Sequence, residues 1–181
     1  MGNKALIIID MLNDFVREGG SLFVGEAGRR VIPVIASVLK RARVEKWPVI
    51  YLCDQHTCTD SEFEMFPTHC IAGTEGGEIC AELTPLEGEF IIPKRRYSGF
   101  FGTDLDLTLR ELDVEELLIT GVCTNICVLY TTADARMRRY KVKVLKDAVA
   151  SFDVQAHEFA LQEMEKTLGA KVVSGTGEAD L

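Results

Sequence analysis

Residues 4–10 read KALIIID, a run of five apolar residues between a lysine and an aspartate. An uninterrupted apolar run of this length, rich in β-branched side chains, is typical of a strand buried on both faces of a parallel sheet. The run ends at Asp10, where the strand would leave the sheet. Because such sheets bind ligands at the carboxyl ends of their strands, this stretch predicts both an α/β fold and the edge that carries the chemistry.

Similar apolar runs recur along the chain and alternate with helical patterns. Further strands are predicted at 48–53, 89–92, 116–120, 141–145 and 171–173. Helices are predicted at 27–44, 104–112, 125–139 and 154–168. This alternation predicts a three-layer αβα, doubly wound fold with a mainly parallel central sheet of about six strands. The length suits one domain over 1–181, in which the irregular segment 55–88 is an insertion.

Composition and charge exclude several classes of protein. The apolar fraction of 47% excludes a disordered chain. No apolar run approaches the length of a membrane helix, which is about 20 residues. The net charge of -8 argues against nucleic acid or an anionic membrane as partner. The first apolar run is too short for a signal peptide, and the six cysteines lack zinc-finger spacing, so we expect reduced thiols and a cytoplasmic protein.

Ionisable residues and cysteines are predicted to gather at one edge of the sheet. The residues that follow or end predicted strands are Asp10, Asp54, Lys94, the segment 121–127 and Asp147. Since the carboxyl ends of parallel strands share an edge, these side chains are expected to lie near one another.

Three of these residues have both a catalytic and a structural interpretation. Cys127 lies at a predicted strand-to-helix turn, where N–H groups and the helix dipole would lower the thiol pKa, but a buried cysteine can equally be a packing residue. Asp10 could be a general base for a thiol, or could cap the loop that follows it. Lys94 opens a cationic and aromatic loop, although a lysine after a strand is usually solvated.

A separate set of residues is suited to a metal ion. If residues 54–56 are extended, the side chains of Asp54 and His56 share a face, and Glu62 and His69 follow downstream. Such a mixed oxygen and nitrogen set suits zinc, iron or manganese in a ligand-binding or catalytic site. The alternative is that these histidines are only hydrogen-bonded in a polar loop. The third histidine, His157, is expected to be solvated on a charged helix.

Five segments together resemble the isochorismatase-like cysteine hydrolases, and among them the nicotinamidases. The segments are ALIIIDMLNDF, the loop DQH followed by FPTHCIAGTEG, KRRYSGFFGTDL, GVCTNICV and KDAVASF, and their order and spacing match over nearly the whole chain. The resemblance implies a catalytic triad of Asp10, Lys94 and Cys127. It also implies metal ligation by Asp54, His56 and His69, with Glu62 as a fourth ligand, and a cis peptide between Val122 and Cys123.

The resemblance further implies an amidohydrolase that converts nicotinamide to nicotinate and ammonia through a thioester on Cys127. Backbone N–H groups of Cys123 and Cys127 would bind the oxyanion. A divalent metal, zinc before iron or manganese, would be the cofactor. Phe15, Phe66 and Tyr97 would hold the ring, although each could be an ordinary core residue. We expect a role in NAD metabolism and pyridine nucleotide salvage, a small-molecule amide as substrate, and a homo-oligomer.

Three alternatives remain open at this stage. The same fold could act on another small amide or ureide. The chain could be a metal- or ligand-binding protein without turnover. It could also be a redox protein that uses Cys123 and Cys127 as a thiol pair.

Overall fold

The computed structural model describes residues 3–176 and contains one sheet of six parallel strands. The ends of the predicted domain, 1–2 and 177–181, lie outside the described residues. The strands are β1 (Asn3–Ile9), β2 (Val49–Asp54), β3 (Phe90–Lys94), β4 (Val114–Val122), β5 (Lys141–Ala150) and β6 (Lys171–Val173). Their order across the sheet is β3-β2-β1-β4-β5-β6. This confirms the predicted parallel sheet and its number of strands.

The helices occupy the connections between strands. They are α1 (Asn13–Val16), α2 (Glu26–Arg30), α3 (Ile32–Val44), α4 (Leu105–Glu111), α5 (Leu129–Met137) and α6 (Val154–Lys166). Within 55–88 the chain forms short 3-10 turns at Ser61–Glu64, Glu75–Gly77 and Ala81–Leu83, and isolated β-bridges pair His56 with Ile71 and Ile79 with Leu12. No helix among residues 3–176 is long and apolar enough to span a membrane.

Two hydrophobic cores lie on opposite faces of the sheet. Alternate residues of β1 point to opposite faces, as the period of two in a strand requires. Leu6 and Ile8 belong to the core formed with α1, α2 and α3, whereas Ala5, Ile7 and Ile9 belong to the core formed with α4, α5 and α6. The five apolar residues of β1, 5–9, are all buried. This strand therefore lies at the centre of the predicted three-layer fold.

The structure corrects two local predictions. The single helix predicted at 27–44 is two helices, since α2 ends at Arg30 and α3 begins at Ile32. Pro33 lies in the first turn of α3, where proline is favoured. Asp147 is not at a strand exit. It lies within β5, beside a shift in register, and its carboxylate accepts hydrogen bonds from Ser174 Oγ and Gly175 N at 2.6 Å each.

The strand order creates a switch point between β1 and β4. From β1 the chain proceeds outward through β2 and β3, then returns to the other side of β1 and proceeds through β5 and β6. The connections that leave β1 and β4 therefore diverge to opposite faces of the sheet, which opens a crevice at their carboxyl ends. Asp10 follows β1 and the segment 123–128 follows β4, so the switch point holds two of the predicted site segments.

We expect Gly121→Ala to unfold the sheet at this switch point. Gly121 in β4 has a φ of 109°, and a Cβ there would lie 1.9 Å from the carbonyl oxygen of Ile9 in β1. A clash with backbone cannot be relieved by side-chain rotation, so we expect a loss of at least about 4 kcal/mol in the free energy of unfolding, measured by denaturant titration. Gly88→Ala is the control, because it has a φ of 90° and open space around it. Equal midpoints for the two variants would contradict the clash.

Candidate active site

Three neighbouring strands place Asp10, Asp54 and Lys94 side by side. Asp54 and Lys94 are the last residues of β2 and β3 and are paired in register. Asp10 follows β1, and its N–H donates to the carbonyl of Leu52 at 2.8 Å. The N–H of Asp54 donates in turn to Asp10 Oδ1 at 2.8 Å. Asp10 has a φ of 51°. Few residues other than glycine adopt such a conformation, and these hydrogen bonds stabilise it.

Lys94 connects the two acids with the sulfur of Cys127. Its side chain is fully buried, and Nζ lies 2.8 Å from Asp10 Oδ2, 2.5 Å from Asp54 Oδ1 and 3.4 Å from Cys127 Sγ. Burial alone would lower the pKa of Lys94, but the charges of Asp10 and Asp54 hold that pKa well above its usual range. The alternative interpretation of Lys94 as a solvated surface residue is therefore wrong.

A π-helical turn, Thr124–Val128, positions Cys127 at the end of β4. The carbonyl of Cys123 accepts hydrogen bonds from the N–H groups of Ile126 and Val128, at 3.0 and 3.2 Å. The peptide bond between Val122 and Cys123 is cis, as the resemblance implied. The helix predicted at 125–139 begins with the π-helical turn and is α-helical from Leu129 to Met137.

The thiol of Cys127 differs from the sequence prediction in its acidity. Burial raises the pKa of Cys127 well above its usual value, the charges of Asp10 and Asp54 raise it further, and Lys94 acts in the opposite direction. The predicted lowering by the helix terminus considered only the local turn. Because the pKa of the thiol is raised, a nucleophilic role requires a nearby base.

Asp10 has the properties of such a base. Burial, followed by the charge of Asp54, raises the pKa of Asp10 to about 6. One carboxylate oxygen of Asp10 lies within 4.8 Å of the Cys127 sulfur. Oδ2 lies 2.8 Å from the Lys94 ammonium, and hydrogen bonds from Lys94 and from the Cys127 thiol partly offset the raised pKa of Asp10. Asp10 is therefore placed to accept the thiol proton.

The four predicted metal ligands form one cluster. Asp54, His56, Glu62 and His69 are all buried, and each offers a ligand atom within 4.8 Å of the others. Nε2 of His56 and Nε2 of His69 both lie 3.6 Å from Asp54 Oδ2. Ligands of one zinc ion stand about 3–3.5 Å apart, so this spacing is close to that of a shared ion. His69 Nδ1 lies 2.7 Å from the carbonyl oxygen of Pro67. This contact keeps the proton on Nδ1 and leaves Nε2 free to ligate.

The donor set fits a divalent metal ion. Both ring nitrogens of His56 are buried without a directed hydrogen bond to any residue in 3–176, an arrangement that is costly unless another group binds them. Asp10, Asp54 and Cys127 form a second close group of possible ligands. The ammonium of Lys94 already lies among their ligand atoms, so this second group is not a candidate metal site.

The predicted aromatic residues line a pocket above Cys127. The pocket is lined by Phe15, Leu22, Asp54, Glu62, Phe66, His69, Tyr97, Cys123, Ile126, Cys127 and Phe152. It encloses about 30 Å³. That volume is the space of a single water molecule, so a larger ligand requires movement at the rim. Phe152 is 46% exposed and is a candidate for that movement.

Sequence reasoning missed part of this wall. Leu22 lies in a glycine-rich loop that has no strand or helix periodicity. Phe152 follows β5, which ends at Ala150 and not at 145 as predicted. Ile126 is within the quoted turn but carries no chemical signal of its own. His157 was predicted to be solvated, whereas it is half-buried with Nδ1 2.8 Å from Thr124 Oγ1, so it supports the turn that carries Cys127.

Fold and site define a class of α/β protein with a buried acid, lysine and thiol at the switch point of a parallel sheet. The chain matches the isochorismatase domain over residues 4–176. It belongs to the isochorismatase family and is a hydrolase of that family. The nicotinamidase likeness seen in the sequence extends to solved structures.

Two curated relatives and two structures illustrate the range of the family. An uncharacterized isochorismatase family protein, PncA of Bacillus subtilis, is 42% identical over 93% of this chain and 98% of its own. Ureidoacrylate amidohydrolase of Klebsiella pneumoniae is 33% identical over 80% of this chain and 72% of its own. The crystal structure of nicotinamidase/pyrazinamidase PncA from Bacillus subtilis has a TM-score of 0.91 at 38% identity, covering 95% and 100%. Pyrazinamidase of Pyrococcus horikoshii in complex with zinc has a TM-score of 0.89 at 34% identity, covering 95% and 99%.

Proposed function

We propose that this protein hydrolyses the amide of nicotinamide to give nicotinate and ammonia, with Cys127 as the nucleophile. The observation that carries the proposal is the position of the Lys94 ammonium, 2.8 Å from Asp10 and 3.4 Å from the Cys127 sulfur. The thiol lines a pocket with aromatic walls, and the base and the cation lie beside the thiol. These are the parts that nucleophilic cleavage of an amide requires.

In the proposed reaction Asp10 accepts the thiol proton as Cys127 attacks the amide carbon. Lys94 stabilises the negative charges of the carboxylates and of the developing thiolate. Backbone N–H groups of Cys123 and Cys127 bind the oxyanion of the tetrahedral intermediate, a contribution of roughly 3 kcal/mol per donor in comparable sites. Asp10 returns its proton to the departing ammonia, and water then hydrolyses the thioester.

Asp54, His56, Glu62 and His69 would hold a divalent metal ion, and we propose zinc ahead of iron or manganese. Such an ion supplies a Lewis acid that can bind a pyridine nitrogen. Support comes from the mixed oxygen and nitrogen set and from the zinc complex of the Pyrococcus relative. Phe15, Phe66 and Tyr97 would pack against the ring and place its carboxamide near Cys127, and such positioning can lower a barrier by several kcal/mol.

The charges around the pocket favour a neutral amide over an anionic ureide. The ionisable wall residues include two carboxylic acids, Asp54 and Glu62, and no arginine or lysine belongs to the described wall. Two cations of the described chain lie behind the wall: Lys94 is already paired with two acids, and Arg96 Nη1 lies 3.8 Å from Glu62 Oε2. A bound divalent ion would offset the charges of Asp54 and Glu62, but the described wall still offers no lysine or arginine to pair with the carboxylate of a substrate such as ureidoacrylate.

Ammonia release with and without a chelator tests the proposed function. We expect turnover of nicotinamide and pyrazinamide, little release from ureidoacrylate, and loss of most activity after chelation, restored by zinc or manganese. The alternative of another amide or ureide predicts the reverse order of substrates. A binding protein without turnover predicts no ammonia from any of them, and unchanged rates after metal removal would contradict the proposed ring anchor.

The redox alternative has less support. Burial and the nearby Asp10 raise the pKa of Cys123 to about 12, and burial also raises the pKa of Cys127. Protonated buried thiols react slowly with oxidants. The two cysteines are unpaired in the structure.

Domain organisation and location are part of the same proposal. Both cores share one sheet, which supports a single domain over 1–181, with 55–88 as an insertion that supplies three of the four proposed ligands. The six cysteines are free, as expected in a reducing compartment such as the cytoplasm. The homo-oligomeric state stays a prediction, for which sedimentation is the measurement.

A further inference from the structure

Asp60 is a buried acid outside the proposed triad and ligand set. Its side chain is 0% exposed, although it lies in a polar loop. Arg95 donates to Asp60 Oδ2 from Nε at 3.0 Å and from Nη2 at 2.8 Å, and Arg96 Nη1 donates to Oδ1 at 3.1 Å. The N–H of Glu62 also donates to Oδ1, at 3.1 Å. One carboxylate thus joins the loop after β2 to the segment that directly follows Lys94.

The carboxylate of Asp60 also contacts His56, a proposed metal ligand. Asp60 Oδ2 lies 3.2 Å from Nδ1 of His56, while Nε2 of that ring is turned towards Asp54. The contact is within reach of a hydrogen bond but is not aligned as one. His69 has the equivalent arrangement, with Nδ1 against the carbonyl of Pro67 and Nε2 towards Asp54. In each histidine, Nδ1 therefore faces an oxygen acceptor and Nε2 faces the proposed metal cluster.

We propose that Asp60 is a positioning residue that keeps the proton of His56 on Nδ1, so that Nε2 is presented to the metal ion, and that fixes this ligand to the Arg95–Arg96 segment beside Lys94. The inference rests on the proposed function, because that function assigns the metal cluster. A carboxylate behind a ligating histidine orients the ring and increases its basicity. The two arginines hold the carboxylate in place, and His56 is otherwise without a polar partner at Nδ1 among the described residues.

A purely structural role for Asp60 makes different predictions. Asp60 is also the N-cap of the turn Ser61–Glu64, and caps stabilise local structure without any metal. Asp153 is a matched case, since it caps α6 by accepting from the N–H of Ala156 at 2.7 Å. A comparison of the two acids separates capping from the orientation of His56.

The experiment titrates metal-free protein with Co²⁺ and Zn²⁺ and follows binding by calorimetry and by the visible spectrum of Co²⁺. We expect Asp60→Asn to bind both ions about 10- to 100-fold more weakly, with an altered Co²⁺ spectrum. Asp153→Asn should bind as the wild type does. Asp60→Ser retains a hydroxyl that can cap the turn, so it supplies a second folded variant, and its metal affinity should fall at least as far.

The outcomes distinguish the two proposals. A wild type that binds neither ion contradicts the proposed metal site itself. A wild type that binds, with both Asp60 variants folded and within about twofold of it, overturns the role of Asp60 alone. Thermal melts of the metal-free proteins show whether each variant is folded, and equal weakening in Asp153→Asn would also overturn the inference.

Discussion

Replacement of Cys127 by alanine is expected to abolish the release of ammonia from nicotinamide. Loss of the nucleophile in an enzyme with a covalent intermediate lowers kcat by about 10⁴-fold or more, because the remaining groups can only assist direct attack by water. Asp10 and Lys94 would still be present, but neither could form the thioester. The measurement is ammonia production under saturating nicotinamide, together with trapping of a covalent adduct on the wild type by mass spectrometry.

A second buried cysteine provides the control for this prediction. Cys80 is buried to a similar extent as Cys127 but lies within the irregular segment 55–88, where its N–H donates to the carbonyl of Met11. Cys80→Ala should keep its turnover, and both variants should show wild-type circular dichroism. Turnover by Cys127→Ala close to that of Cys80→Ala would show that the thiol is not the nucleophile.

The positions of the candidate catalytic residues could be predicted because they depend on strand exits. Asp10 and Lys94 follow or end strands whose apolar runs are visible in the chain, and the parallel order then brings those ends together. The motif resemblance added roles that topology cannot supply. The same reasoning failed for Asp147, because the strand that carries it continues beyond a bulge, and the unpaired residues of a bulge leave no alternating pattern.

The electrostatics of the site could not be predicted from local sequence. The pKa of Cys127 depends on burial and on acids contributed by β1 and β2, and these outweigh the nearby helix terminus. Asp60 was missed for a related reason. An aspartate in a polar loop has no signal in one sequence that distinguishes a solvated side chain from one enclosed by two arginines.

Replacement of Lys94 by methionine is expected to impair both activity and stability. Methionine is close in length to the lysine side chain but removes its charge, so Asp10 and Asp54 would face each other as buried acids without a cation. Removal of one partner from a buried ion pair costs about 3–5 kcal/mol. We expect this loss in the free energy of unfolding at neutral pH, measured by denaturant titration, and no detectable ammonia from nicotinamide.

Lys141→Met is the matched control for charge removal. Lys141 makes a 3.4 Å ion pair with Glu115, but its side chain is 66% exposed. Water and salt therefore already screen the pair. This variant should unfold at nearly the wild-type midpoint and keep its turnover. If the two methionine variants were equally stable and equally active, the Lys94 ammonium would be neither the counter-charge of the two acids nor a participant in the reaction. Loss of stability with activity retained would assign Lys94 to the fold, because charge compensation would then matter only for burial of the acids.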